Sequence, residues 1–178
     1  MADHVDHVLA QWAAQRPDLD VSAMGVIGRL ARASRLIDAE LGHTFSAHGL
    51  DRASFDVLAT LRRSGPPHRL TPTALMRSSM VTSGAITQRL DRLKPRGLVA
   101  RTRNVADGRG VYVELTDEGL ALIDGALPDH IETEERLLAG LTDAQRDTLA
   151  DTLRALLESL GEQRRTSLDA TAAAARST

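Results

Sequence analysis

Apolar residues recur at helical spacing along most of the chain and alternate with polar ones in only one short region. Val5, Val8, Leu9 and Trp12 make the apolar face of an N-terminal helix that ends before Pro17. A longer helix opens at Asp20-Val21-Ser22, carries Met24, Ile27, Leu30, Ala31 and Ile37 as its stripe, and runs toward Phe45 with Gly49 as its stop. Ser54 is the expected cap of a third helix reaching Arg63, ended by Ser64-Gly65-Pro66-Pro67. Thr71-Pro72 places a capping hydroxyl before a proline whose missing N–H costs nothing in a first turn. A short helix over 71–79 follows, with Leu75 and Met76 toward the core. After a turn at 80–81, a basic helix over 82–96 is capped by Thr82 or Ser83 and buries Ile86, Leu90 and Leu93. Pro95 should end or tighten its last turn, and Gly97 supplies the reversal.

The pattern then changes period. Residues 98–103 and 111–115 alternate apolar and polar, as two half-buried strands do, and 104–110 between them is a turn-rich tip. Thr116 caps a long helix bearing Leu120, Ile123, Leu127, Ile131, Leu137 and Leu138, with a kink expected at Pro128. Thr142 and Gln145 form a capping box that starts a last helix with Leu149, Leu153, Leu156, Leu157 and Leu160. Those leucines exceed what one helix of a small domain buries, which favours burial between two subunits over an ordinary intrachain core. From Arg164 the Ala/Thr/Ser-rich tail is expected to be disordered. The order of elements predicts a mainly α fold with a small antiparallel β wing. This is a winged helix-turn-helix over 51–116, joined to a helical dimerisation body from 1–50 and 117–163, with the tail at 164–178.

The basic helix has an outward face with its own chemistry. At roughly 100° per residue, Gly84, Thr87, Gln88, Asp91 and Arg92 point away from the apolar stripe, whereas Arg89 sits at its flank and should turn inward. Small and polar groups at the start of such a face suit approach to base edges and phosphates of double-stranded DNA. A helix of this kind enters the major groove while the wing reaches the minor groove alongside, where Arg109 on the tip is long enough to insert. Charge agrees. From Thr82 to Gly110 seven basic residues face two acidic ones, a net +5, while the whole chain is −2 and the remainder therefore −7. One concentrated basic module in a mildly acidic chain is what local phosphate binding needs. The expected DNA contacts are Thr82, Ser83, Gly84, Thr87, Gln88, Arg92, Arg103 and Arg109. A winged helix that serves only protein interaction or dimerisation is the alternative.

Composition narrows the rest. The chain has 178 residues, one compact domain's worth, and no cysteine, which excludes disulfides, thiolate–zinc sites and thiol redox sensing. No stretch of about twenty apolar residues appears, and the acidic N-terminus is unlike a signal peptide, so no membrane association and a cytoplasmic location are expected. His4 and His7 with Asp3 and Asp6 are the one dense cluster of metal-ligand types; His43, His48, His68 and His130 are scattered, and no metal or cofactor is expected. No phosphate-cradling Gly loop, nucleophile elbow or zinc-hydrolase helix is present, so an enzyme is not expected.

Residues 81–93, from Val81 through Thr82-Ser83-Gly84 to Arg92-Leu93, resemble the recognition helix of the MarR family of bacterial transcriptional regulators. Arg96-Gly97-Leu98-Val99 is similar to that family's helix exit, and Asp107-Gly108-Arg109-Gly110 through Leu115-Thr116 to its wing. The resemblance spans roughly Met24 to Leu160; Lys94-Pro95 departs from it, where relatives continue the helix. It implies a homodimer reading a pseudo-palindromic operator, acting as a repressor. The extra N-terminal helix further resembles a urate-responsive subgroup, which implies an effector site of Trp12, Asp56, Arg89 and Arg101. Two guanidinium groups can hold a planar anion by paired hydrogen bonds, an indole can wall its face, and the Asp56 carboxylate would pair with an arginine until the anion arrives. Another organic anion, a tricarboxylate or an aromatic carboxylate, fits the same chemistry.

Overall fold

A computed structural model describes residues 2–79, 83–104 and 110–161, the side chains of 83–86 and 104 excepted. The elements run α1 (His4–Gln15), α2 (Ser22–Ala47), α3 (Arg52–Arg63), β1 (Arg69–Leu70), α4 (Pro72–Ser78), α5 (Ser83–Leu93), β2 (Val99–Asn104), β3 (Gly110–Leu115), α6 (Asp117–Leu137) and α7 (Asp143–Ser159). The fold is mainly helical with one small antiparallel sheet, as the change of period predicts. Two compact bodies divide between His43 and Thr44.

In the first body α1 docks on α2 through residues without side chains. A Cβ at Gly25 would meet Leu9 at 3.2 Å and one at Gly28 would touch Val5 at 3.4 Å, so the two helices approach closely and bury Val5. Arg29 closes the joint: its Nε donates to Asp3 Oδ2 at 2.9 Å and its Nη2 to Asp6 Oδ1 at 2.6 Å. Asp3 also caps α1 in a box with Asp6. The Asp6 backbone N–H and, secondly, the Arg29 guanidinium hold the Asp3 carboxyl below its ordinary range.

The second body is built around α3. Its buried face, including Phe55, Val57, Leu58 and Leu61, packs against α4, α5, α6 and β3, whose own core residues are Leu75, Leu90, Leu93, Ile123, Ala126 and Val113. Phe45 of α2's last turn stacks on Phe55 with ring centroids 4.4 Å apart, and His130 of α6 tilts against both rings. Asp51, not Ser54, caps α3: its Oδ1 accepts the Ser54 N–H at 2.8 Å. Both are good caps, but starting the helix one turn earlier leaves Ser54 to donate its N–H to the carboxylate and sink into the core. Met76, expected inside, is exposed, and Leu75 alone of that pair is buried.

The ribbon is a sheet of three strands in the order β1-β3-β2. Leu70 and Arg101 both pair with Val113, and Arg103 pairs with Val111. β1, two residues long, has no alternation to betray it in the sequence.

α5 ends at Leu93 and not at Arg96. The Lys94 N–H still reaches the Leu90 carbonyl at 3.0 Å, but Pro95 has no N–H to continue the ladder. Gly97 takes φ +71°, its N–H bonding the Lys94 carbonyl at 3.0 Å while that of Leu98 bonds the Leu93 carbonyl at 3.2 Å, a Schellman closure. The start of α6 is locked to this exit. Thr116 Oγ1 donates to the Gly97 carbonyl at 2.6 Å and accepts the Gly119 N–H at 3.0 Å, and a Cβ on Gly119 would fall 2.0 Å from the Leu98 carbonyl oxygen. α6 then continues through Pro128. α7 starts with the expected Thr142/Gln145 box and buries none of its residues.

Candidate nucleic-acid interface

α5 is held by its inner edge. Leu90 and Leu93 are buried, and the outer side shows Thr87, Gln88, Asp91 and Arg92 exposed. Ser83 and Gly84 form the first turn of α5, their side chains outside the described set; Thr82, Arg109 and the rest of the wing tip at 105–109 lie outside the described residues altogether. Arg101 and Arg103, two residues apart on β2, share one side of the strand and are both exposed. Arg101 Nη2 meets Asp91 Oδ1 of α5 at 3.2 Å, which shows that this side faces the helix. Arg103 is one step nearer the wing tip on that side of the strand, paired in register with Val111. Arg92 and Arg103 are exposed without an ion pair to another described residue.

Other arginines of the region are structural. Arg96 Nη1 donates to the Gly49 carbonyl at 2.9 Å, tying the exit of α5 to the end of α2. Arg63 Nη2 donates to the Ser78 carbonyl and so holds the end of α4 to α3. Arg69 lies over the Tyr112 ring at 4.8 Å. Of the basic residues counted over 82–110, Arg89 is turned inward, while Arg96 and Arg101 are engaged by protein groups and remain exposed.

The four residues of the expected effector site fall as follows. Trp12 is 41% exposed on α1 of the first body; Asp56 is half-buried on α3, Arg89 lies on α5 and Arg101 on β2, all in the second. Arg89 does turn inward: its side chain is 20% exposed, and Nη1 lies 3.0 Å from Asp51 Oδ2. Nε and Nη1 are nevertheless buried without a hydrogen bond, so the contact is one of charge and leaves donors unmet. Arg89 pairs with Asp51, and Arg101 pairs with Asp91. Sequence reasoning missed Asp51, because nothing in spacing links a cap at position 51 to an arginine on α5.

Three comparisons place this geometry among known proteins. Residues 48–110 match a family model described as MarR family. The chain is 41% identical over 153 residues to the HTH-type transcriptional regulator PecS of Dickeya dadantii (strain 3937), covering 86% of this chain and 90% of that one. A MarR family transcriptional regulator from Streptomyces coelicolor, solved in complex with DNA, superposes with TM-score 0.73 at 25% identity, over 80% of this chain and 90% of that chain. Bordetella bronchiseptica BpsR, whose DNA binding is regulated by 6-hydroxynicotinic acid, superposes with TM-score 0.67 at 28% identity, over 74% and 91% of the two chains.

Proposed function

The chain belongs to the MarR family and is a DNA-binding transcriptional regulator, and from that premise we propose a cytoplasmic homodimeric repressor released from a pseudo-palindromic operator by a small organic anion. The observation that carries the proposal is the face of α5. Thr87, Gln88 and Arg92 stand outward on a helix anchored by Leu90 and Leu93, and Arg103 is exposed on β2. In this reading Thr82, Ser83, Gly84, Thr87, Gln88 and Arg92 meet the major groove, and Arg103 and Arg109 meet the backbone and minor groove.

The second copy is argued from what one chain leaves uncovered. α7 buries no residue, and Leu149 (41%) and Leu157 (47%) are open to solvent; so are Ile131 of α6, Leu138 at its C-cap, and Val26, Ile27 and Leu36 of α2. Apolar surface on that scale suits a permanent subunit interface. Residues 1–50 and 117–163 would supply it, and 51–116 the reading lobe.

The anion is argued from Arg89. A buried guanidinium with two unmet donor atoms gains from a ligand that brings acceptor oxygens to it. Asp56 and Arg101, in the same body as Arg89, are the other proposed contacts, and the regulation of BpsR by an aromatic acid is of the same chemical kind. Urate is the first anion to try, then a tricarboxylate and an aromatic carboxylate.

The test uses the DNA flanking the gene. Fluorescence anisotropy with the inverted repeat found there should show binding that falls steeply with salt, and urate should release it. A protein that retains no duplex at low salt would instead be an interaction module, and the exposed arginines argue against that outcome.

A further inference from the structure

Asp51 uses its two carboxylate oxygens for two different helices. Oδ1 accepts the Ser54 N–H at 2.8 Å and so caps α3; Oδ2 lies 3.0 Å from Arg89 Nη1 on α5. The positive end of the α3 dipole and the guanidinium both favour the same negative charge. Asp51 is thereby the pin between the helix that anchors the core of the second body and the helix that presents Gln88 and Arg92. Yet the pin is a loose fit. Arg89 Nε and Nη1 are buried with no hydrogen bond, while 46% of the Asp51 side chain remains exposed. The arginine is held by attraction alone, and a better acceptor can take it.

We propose that Asp51 is the internal competitor of the effector: it occupies Arg89 in the DNA-reading state, and a planar organic anion acts by drawing Arg89 away from it. The inference deepens the anion-release reading and rests on it. Asp51 is a positioning residue, acting on DNA only through Arg89. When the anion supplies two oxygens to the guanidinium, Asp51 keeps its cap on Ser54 but loses its hold on α5. The recognition helix is then free to shift against α3, and the two lobes of a dimer fall out of register on their half-sites. Effector affinity and operator affinity are therefore opposed through this one contact, since strengthening the Asp51–Arg89 pair disfavours the anion by the same factor that it favours the reading state.

Two substitutions separate the cap from the pin. Asp51→Asn keeps a side-chain oxygen for the Ser54 N–H and removes the charge; Asp51→Glu keeps the charge on a side chain that caps poorly. Urate is titrated into full-length dimer bound to its operator, and into free dimer by calorimetry, for the wild type, both variants and Arg89→Ala. Asp51→Asn should need about two- to fivefold less urate for half-release and bind urate correspondingly tighter in solution, the range expected for a partly exposed charge pair. Its melting temperature should stay near that of the wild type, whereas Asp51→Glu should melt lower without the gain in urate sensitivity. A wild type that responds to urate through Arg89 while Asp51→Asn shifts by less than twofold overturns the competitor role and leaves the anion-release reading standing. A wild type released by neither urate, citrate nor benzoate overturns both.

Discussion

Arg92 and Arg109 are the side chains on which operator binding should depend most directly. Arg92 is exposed on the outward face of α5, and Arg109 is the arginine that the sequence leads one to expect on the wing tip. Replacing either by Ala should weaken operator binding by about 1–3 kcal/mol where it reads a base, or reduce the salt slope by about one where it meets a phosphate. The melting temperature should not move, and unchanged affinity in both variants would remove the groove and wing assignments. Arg89→Ala should differ, losing the response to urate while operator affinity falls by no more than the few-fold that its partly exposed contact with Asp51 contributes. Gly119 is a position of another kind. With the Leu98 carbonyl oxygen 2.0 Å from where a Cβ would sit, Gly119→Ala has to push α6 off the exit of α5. Chemical denaturation should show a loss of about 3 kcal/mol, the upper end of overpacking, since the obstacle is backbone and cannot rotate away.

The helices show why some boundaries were legible and others were not. Thr71, Thr116 and Thr142 all cap the helices that follow them, and each is a local signal readable from a few neighbouring residues. The end of α5 was only half legible. Pro95 announces that the ladder must stop, but the helix already closes at Leu93 because Gly97 and Leu98 fold back on Lys94 and Leu93. Gly97→Ala should cost about 1 kcal/mol through its left-handed φ and shift the exit toward β2, seen as lower operator affinity in the same anisotropy assay. The joint between α1 and α2 was not legible at all, since it depends on Asp3 and Asp6 meeting an arginine more than twenty residues away. Arg29→Ala should raise hydrogen exchange across α1 while leaving α3 and α5 protected. Because the folded-state carboxyl of Asp3 is held low, its contribution is complete above the ordinary aspartate range and is lost only as pH falls through that lowered value.

The assembled protein should bind DNA as a pair of lobes. Two half-sites centred about one helical turn apart, or a multiple, follow from a two-fold dimer, and footprinting at saturation should protect both. Protection of a single half-site, or a monomer by light scattering, would contradict the uncovered leucines of α7 as subunit contacts. Period and punctuation along the chain were enough to specify the order of the helices and the two paired strands, the polar outward face of α5 and the inward turn of Arg89, because those follow from spacing within one element and from short-range capping. Which carboxylate holds Arg89, which arginines are consumed by backbone carbonyls at Gly49 and Ser78, and how α6 presses on Leu98 emerged only in three dimensions. Those contacts join residues far apart in the chain, and a charge or a missing side chain carries no mark of the distant partner that the packed core brings to it.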